Sequence, residues 1–262
     1  MDIFYGNRLF DSGVTATASS ENELLPAENL LRESRAKIWR TGTSTAAESV
    51  VFDLQNAGVT ISDVIIDGYD TGLALSTVKI EANSSDSWGS PAVSETISSG
   101  KFTFGLPAVH ELASGPVSYR YWRLSVTKAL ASSTADVGHI YLGAKDDLPE
   151  WPDHDGVAHG VADLSEVQMS RGGTSFVDER PRVREWTVPF SMITSAKGQL
   201  ENLALDGALH EPFWMHLTDV TGDGTLSEYV YVRNRSVPRF VNKSYTGSAW
   251  VWNVELDVME VL

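Results

Sequence analysis

From Val50 to Leu142 the chain repeats one pattern, a short β-branched or aromatic run followed by turn formers. The runs are SVVFDL, SDVIIDGYD, STVKIEAN, KFTFGL, YRYWRLSVT and VGHIYLG. Runs this short, bounded by Gly, Asp, Asn and Ser with no helix-length periodicity between them, make antiparallel strands rather than alternating strands and helices. The expected product is an antiparallel β-sandwich. One helix-like stretch precedes the first long strand: PAENLLRES, Pro26 to Ser34, where Pro in the first turn and a Leu pair suit about two turns.

At 262 residues the chain exceeds the usual size of one domain, and each half can bury its own core. The segment AKDDLPEWPDHDGVAHG is rich in Asp, Pro, Gly and His and lacks periodicity, which marks the interdomain connection. The expected division is residues 1–146, a linker at 147–159, and residues 160–262. In the second half, Val183, Trp186, Val188 and Phe190 share a strand face only if the chain kinks near Glu185, so a bulge is expected there. Leu200, Leu203 and Leu205, with Gly207 and Pro212 beyond them, predict one amphipathic helix of about ten residues. FWMHLTD should then pair with LSEYVYVRN, and PRFVNKS with AWVWNVELDVMEVL.

Composition removes several function classes. The chain has no Cys, which excludes disulfides, thiolate catalysis, zinc–thiolate sites and iron–sulfur clusters. A formal net charge of -15 argues against nucleic acid as the partner, because phosphate binding needs clustered Lys and Arg. No apolar run approaches the roughly 18 residues of a membrane span, and MDIFYGNRLFDSG lacks the regions of a signal peptide, so the chain is expected to stay in the cytosol where it is made. The sequons at Asn83, Asn234 and Asn242 then carry no glycan.

Few constellations suggest chemistry. Asp219, Thr221 and Asp223 open a segment, DVTGDGTLSE, that follows the first positions of a calcium loop, but Val230 stands where the bidentate carboxylate belongs, and a Gly-Asp-Gly hairpin turn explains the same residues. Asp153, His154, Asp155 and His159 crowd the linker, where they suit either a metal or ordinary solvated chain. No G-x-S-x-G elbow, phosphate loop or dinucleotide fingerprint occurs, and neighbouring carboxylates such as Asp146 and Asp147 point apart on a strand. The reading is no catalytic residue, no cofactor and no enzyme. Trp39, Trp122 and Trp186 lie in strand runs and read as core. Trp88, in SSDSWGSP, reads as an exposed loop tip able to stack on a sugar. Arg171, Arg180, Arg182 and Arg184 gather positive charge on one segment of an acidic half, which suits a subunit interface or a solvated strand face.

The elements LLPAENLLRES, AKIWRTG, SVVFDL, SDVIIDGYD, VKIEANSSDSW and YRYWRLSVT, in that order across Asn7 to Gly143, resemble the discoidin-like, galactose-binding-type jelly roll. That resemblance implies a domain binding sugars, lipids or proteins through loops at one end of its sandwich, with Trp39, Arg40 and the YWRL residues as framework. From Gly160 to Leu262, SRGGTSF, REWTVPFSMI, FWMHL, YVRNRSVPRF and WNVELDVMEVL resemble the ring-forming domains of phage distal and minor tail proteins. That implies a mainly β fold: a discoidin-like jelly-roll sandwich followed by a tail-ring-type sandwich with one helix. It also implies a structural protein of the virion tail, assembled in the bacterial cytoplasm as a homo-oligomeric, hexameric ring. Tail tube, hub and other tail-tip proteins would be its partners, with fibres or a cell-surface glycan on the accessory domain. The alternative is a non-catalytic carbohydrate-binding module protein.

Overall fold

The computed structural model describes all residues except 43–44, 71–76, 104, 149–151, 154–156, 170–174, 196, 206–210, 219–226, 246–249 and 262. It is mainly β and divides into two compact units, one of residues 4–145 and one of residues 1–3 with 146–262. The first residues, expected in the leading sandwich, thus lie in the second unit.

In the first unit, β2 (Thr15–Ala18), β4 (Ala47–Asp53), β6 (Thr77–Asn83), β7 (Val93–Ile97) and β9 (Tyr121–Thr127) form an antiparallel sheet in the order β2-β4-β9-β6-β7. A second sheet, β11-β5-β8, consists of β5 (Asp63–Asp67), β8 (Ala108–Glu111) and β11 (His139–Gly143). Period-2 alternation explains the core. Val50, Phe52, Val78, Ile80, Trp122, Leu124 and Val126 turn inward from the first sheet, and Val64, Ile66, Ile140 and Leu142 from the second. A short ladder of β3 (Trp39–Arg40) and β10 (Asp136–Val137) buries Trp39, while Arg40 grips Asp136 through Nε (2.7 Å) and Nη2 (2.5 Å). Trp39, Trp122 and Arg40 are framework, as the resemblance implies.

PAENLLRES forms the expected short helix as a 3-10 helix over Ala27–Leu31. Asn29 explains it, since its side-chain amide donates to the Ile38 carbonyl (2.7 Å) and Leu30 is fully buried, so packing fixes the tighter turn. The strand expected at KFTFGL is absent among its described residues: Lys101 closes a 3-10 turn, Ser99–Lys101, and Phe102 packs against Tyr69, ring centroids 5.2 Å apart. Gly68 is required at the end of β5, with φ +63° and space for a Cβ only 3.0 Å from the Gly138 backbone.

The second unit is built on one sheet in the order β12-β1-β17-β18-β20-β16-β13, with β19 beside β20. Its strands are β1 (Asp2–Phe4), β12 (Lys145–Asp147), β13 (Ala158–Asp163), β16 (Arg182–Ile193), β17 (Phe213–Thr218), β18 (Ser227–Asn234), β19 (Val241–Tyr245) and β20 (Trp250–Glu260). The two expected pairings, β17 with β18 and β19 with β20, are present. Helix α1 (Lys197–Leu205) buries Leu200 and Leu203. The expected bulge is displaced: the register runs unbroken past Glu185, and the irregularity falls between Phe190 and Ile193. Val183 and Trp186 can both be buried because the two faces of β16 are covered at those points. Among the described residues, β14 (Glu166–Met169) and β15 (Ser175–Asp178) pair only with each other.

Candidate functional site

The outward face of β9 builds the most developed polar and aromatic surface of the first unit. Alternation that sends Trp122 and Leu124 inward sends Tyr121 and Arg123 outward. Glu81 stands opposite Arg123, and both Asn83 and Asp53 stand opposite Tyr121. The Arg123 guanidinium is held by Glu81, Nε at 2.7 Å and Nη2 at 2.6 Å from Oε2. One residue before Tyr121, Arg120 binds Asp53 with both arms of its fork, at 2.7 and 2.8 Å, and lies 5.0 Å from the Tyr121 ring centroid. The Arg120 hydrogen bonds hold the Asp53 carboxyl below the usual carboxylate range, so this pair stays charged.

Trp88 comes to this surface from the loop between β6 and β7. Asn83 organises that loop: its amide donates to the Ser87 carbonyl (2.6 Å), and its side-chain oxygen accepts from the Ser84 N–H (2.9 Å). The Trp88 indole N–H donates to Asp86 (2.6 Å), and its ring lies 4.5 Å from the Arg123 guanidinium carbon. Trp88 is therefore half-buried and fixed, not a free tip. One ring face rests on a cation that Glu81 already holds, and an exposed carboxylate sits at its edge. Such an arrangement can stack on the apolar face of a ring and hydrogen-bond its hydroxyls.

The opposite end of the sandwich is differently made. Glu48 and Lys128, whose side chains are each only 1% exposed, meet at 3.5 Å. Glu48 also accepts from Ser19 (2.9 Å), Ser20 (2.5 Å) and Thr45 (2.7 Å), while Lys128 donates to the Gly42 carbonyl (2.6 Å). Burial raises the Glu48 carboxyl, but the three hydroxyls and Lys128 outweigh it and leave it below its ordinary value. The cluster ties together three chain segments, 19–20, 42–48 and 128, through hydrogen bonds of its own. A separate cavity of about 290 Å³ is lined by Arg35, Asp67, Gly68, Tyr69, Gly105 and Leu106, with Arg35 bound to Asp67 at 2.5 Å.

The arginines expected at a subunit contact are divided. Arg184 is engaged within its own unit, with Nε and Nη2 each 3.0 Å from Glu260 and Nη1 on Glu228. Arg180 binds Asp178 (2.9 Å) and Arg182 binds Asp163 (3.2 Å), both pairs exposed. Arg171 and the calcium-like residues Asp219, Thr221 and Asp223 lie outside the described residues, as do His154 and Asp155. Sequence reasoning singled out Trp88 and missed Arg120, Tyr121, Arg123 and Glu81. The signal was available, because YRYWRL alternates and its outward half cannot be framework.

The family model for the F5/8 type C domain matches residues 15–141. A comparison with curated proteins returned no match. Among solved structures, the chain is similar to a Ruminococcus gnavus GH29 fucosidase in complex with fucose, at 14% identity and TM-score 0.44, over 55% of this chain and 28% of the other. The chain thus spans about a quarter of that enzyme's length. It is also similar to chitosan-binding module 1 from a Paenibacillus sp. IK-5 chitosanase/glucanase (16% identity, TM-score 0.41, 53% of this chain and all of the module). A third similar structure is the family 32 carbohydrate-binding module of C. perfringens NanJ in complex with galactose (16% identity, TM-score 0.41, 56% of this chain and all of the module). Residues 15–141, just under half of the chain, thus match the F5/8 type C domain model, and the first unit, with its two facing antiparallel sheets, has a discoidin-like jelly-roll fold.

Proposed function

We propose that this protein is a non-catalytic carbohydrate-binding protein whose discoidin-like unit takes a sugar ring on the ledge formed by Trp88, Arg123 and Asp86. The observation that carries the reading is the fixed Trp88 ring, backed by Arg123 at 4.5 Å and edged by Asp86. Domains of this fold serve sugars, lipids and proteins, and the ledge favours the first. Its guanidiniums are already paired with Glu81 and Asp53, and Asp86 adds an exposed carboxylate, so it offers a hydrogen-bonding aromatic surface rather than an anion trap. Of the two functions held open by the sequence, carbohydrate binding has both a family match and a formed surface behind it. The tail-tip ring rests on the sequence resemblance of residues 160–262.

A glycan array probed with the intact protein, followed by calorimetry on the best ligand, tests the reading. Trp88→Ala should weaken binding by roughly ten-fold or more, the equivalent of about 1.4 kcal/mol. Retained affinity in that variant, with the protein folded, refutes the ledge as the binding surface.

A further inference from the structure

Strand β13 is the terminal strand of the large sheet and pairs with β16 alone among the described residues. The pairing is regular over six positions, from Ala158 opposite Thr187 to Asp163 opposite Arg182. Its other edge presents a row of backbone donors and acceptors to whatever lies beside it. Protected edges usually carry Lys, Pro or a bulge, and the β13 sequence Ala-His-Gly-Val-Ala-Asp has none of these. Its one carboxylate, Asp163, sits at the end of the strand and is occupied by Arg182 and the Ser165 N–H. At the centre, Val161 is 60% exposed. Just beyond, the β14–β15 pair has no third strand among the described residues and exposes Met169 (74%) and Val177 (57%). A lone two-stranded ribbon is marginal in water, and clustered exposed apolar side chains mark an interaction surface.

We infer that β13 pairs with β13 of a second copy of this chain, antiparallel across a two-fold axis at Val161. The strand is complementary to itself in that register and only in that orientation. Antiparallel pairing about Val161 sets Val161 against Val161 of the other copy, Gly160 against Ala162, and His159 against Asp163, so no like charges face each other; parallel pairing in register sets the two aspartates side by side. The Val161 side chains meet close to the axis and cover each other. A concavity of about 530 Å³ beside the strand end, lined by Asp163, Ser165, Val177, Glu179, Arg180 and Arg182, receives the start of the opposing strand. Two of the arginines expected at a subunit contact, Arg180 and Arg182, therefore border this edge. A single added strand pair buries a small area, so the dimer forms with modest affinity and in a concentration-dependent way.

Sedimentation velocity over a wide concentration range tests this on the intact protein, on Val161→Lys, and on Val241→Lys as a control at an exposed apolar position of β19. The expected result is a concentration-dependent shift from one to two chain masses in the unaltered protein and in Val241→Lys, lost in Val161→Lys. Circular dichroism on each variant verifies folding; should Val161→Lys misfold, Val161→Thr, which keeps the strand shape, must weaken the dimer by at least several-fold. A strict monomer throughout, a dimer that survives Val161→Lys, or equal loss in Val241→Lys overturns the inference.

Discussion

The two units solve the same problem, covering antiparallel sheets, in opposite ways. The first folds two sheets onto each other and ties off its buried carboxylates internally, Glu48 with Lys128 and Asp67 with Arg35, while Asp53 pairs with Arg120 on its surface. What it leaves outside is a small, pre-set surface around Trp88. The second spreads most of its strands into one long sheet whose β13 edge has no further strand among the described residues, and it leaves apolar side chains in solvent. A closed domain can display a rigid ligand surface, because loops anchored by buried networks pay little ordering cost on binding. A sheet with an open edge offers backbone pairing instead.

The contrast breaks most readily at the first unit's core. Trp122→Ala removes a fully buried side chain whose N–H donates to the Tyr119 carbonyl (3.0 Å), and should destabilise that unit by about 3–5 kcal/mol in denaturant unfolding. Lys128→Met leaves Glu48 buried without its cation and should destabilise by about 3 kcal/mol or more, with most of the loss recovered in the Lys128→Met/Glu48→Gln double variant. Failure of the double variant to recover would mean that the hydroxyls of Ser19, Ser20 and Thr45, not the ion pair, hold the loops.

Acid probes the same buried groups. His139 is wholly enclosed, and burial, helped by nearby Arg35, pushes its pKa down to about 3. The unfolded chain takes up that proton near its ordinary value of about 6.5, so between about 6.5 and 3 the unfolded state binds more protons. Stability of the first unit should therefore fall as pH drops through that window, by up to about 1.4 kcal/mol per unit, and His139→Leu should flatten the slope. A melting temperature independent of pH from 7 to about 4 contradicts the assignment. The smallest effect belongs to the second unit: Val161→Lys, at an exposed edge, should alter unfolding free energy by no more than about 0.5 kcal/mol while abolishing association.

The strands were legible wherever one face is buried, because the alternation of SVVFDL, STVKIEAN and YWRLSVT records which side chains reach the core. Weakly patterned strands such as β2 and β8 and the short turns were not, since their conformation is set by tertiary partners: Asn29 and Leu30 for the 3-10 helix, Phe102 against Tyr69 for the loop expected as a strand. The division into units was obscured at residues 1–3, which join a sheet whose other strands begin more than 140 residues later in sequence. At the candidate site, Trp88 announced itself by its polar neighbours, whereas Tyr121 and Arg123 share a motif with buried framework residues and become visible only once the strand's two faces are separated.

Carbohydrate binding by the discoidin-like unit is proposed at the Trp88 ledge. Calorimetric titration of the intact protein and of Trp88→Ala with the strongest glycan from an array tests it most directly. The account predicts saturable binding that falls by roughly ten-fold or more in the variant. Equal affinity in the two proteins, or no glycan bound by either, contradicts it.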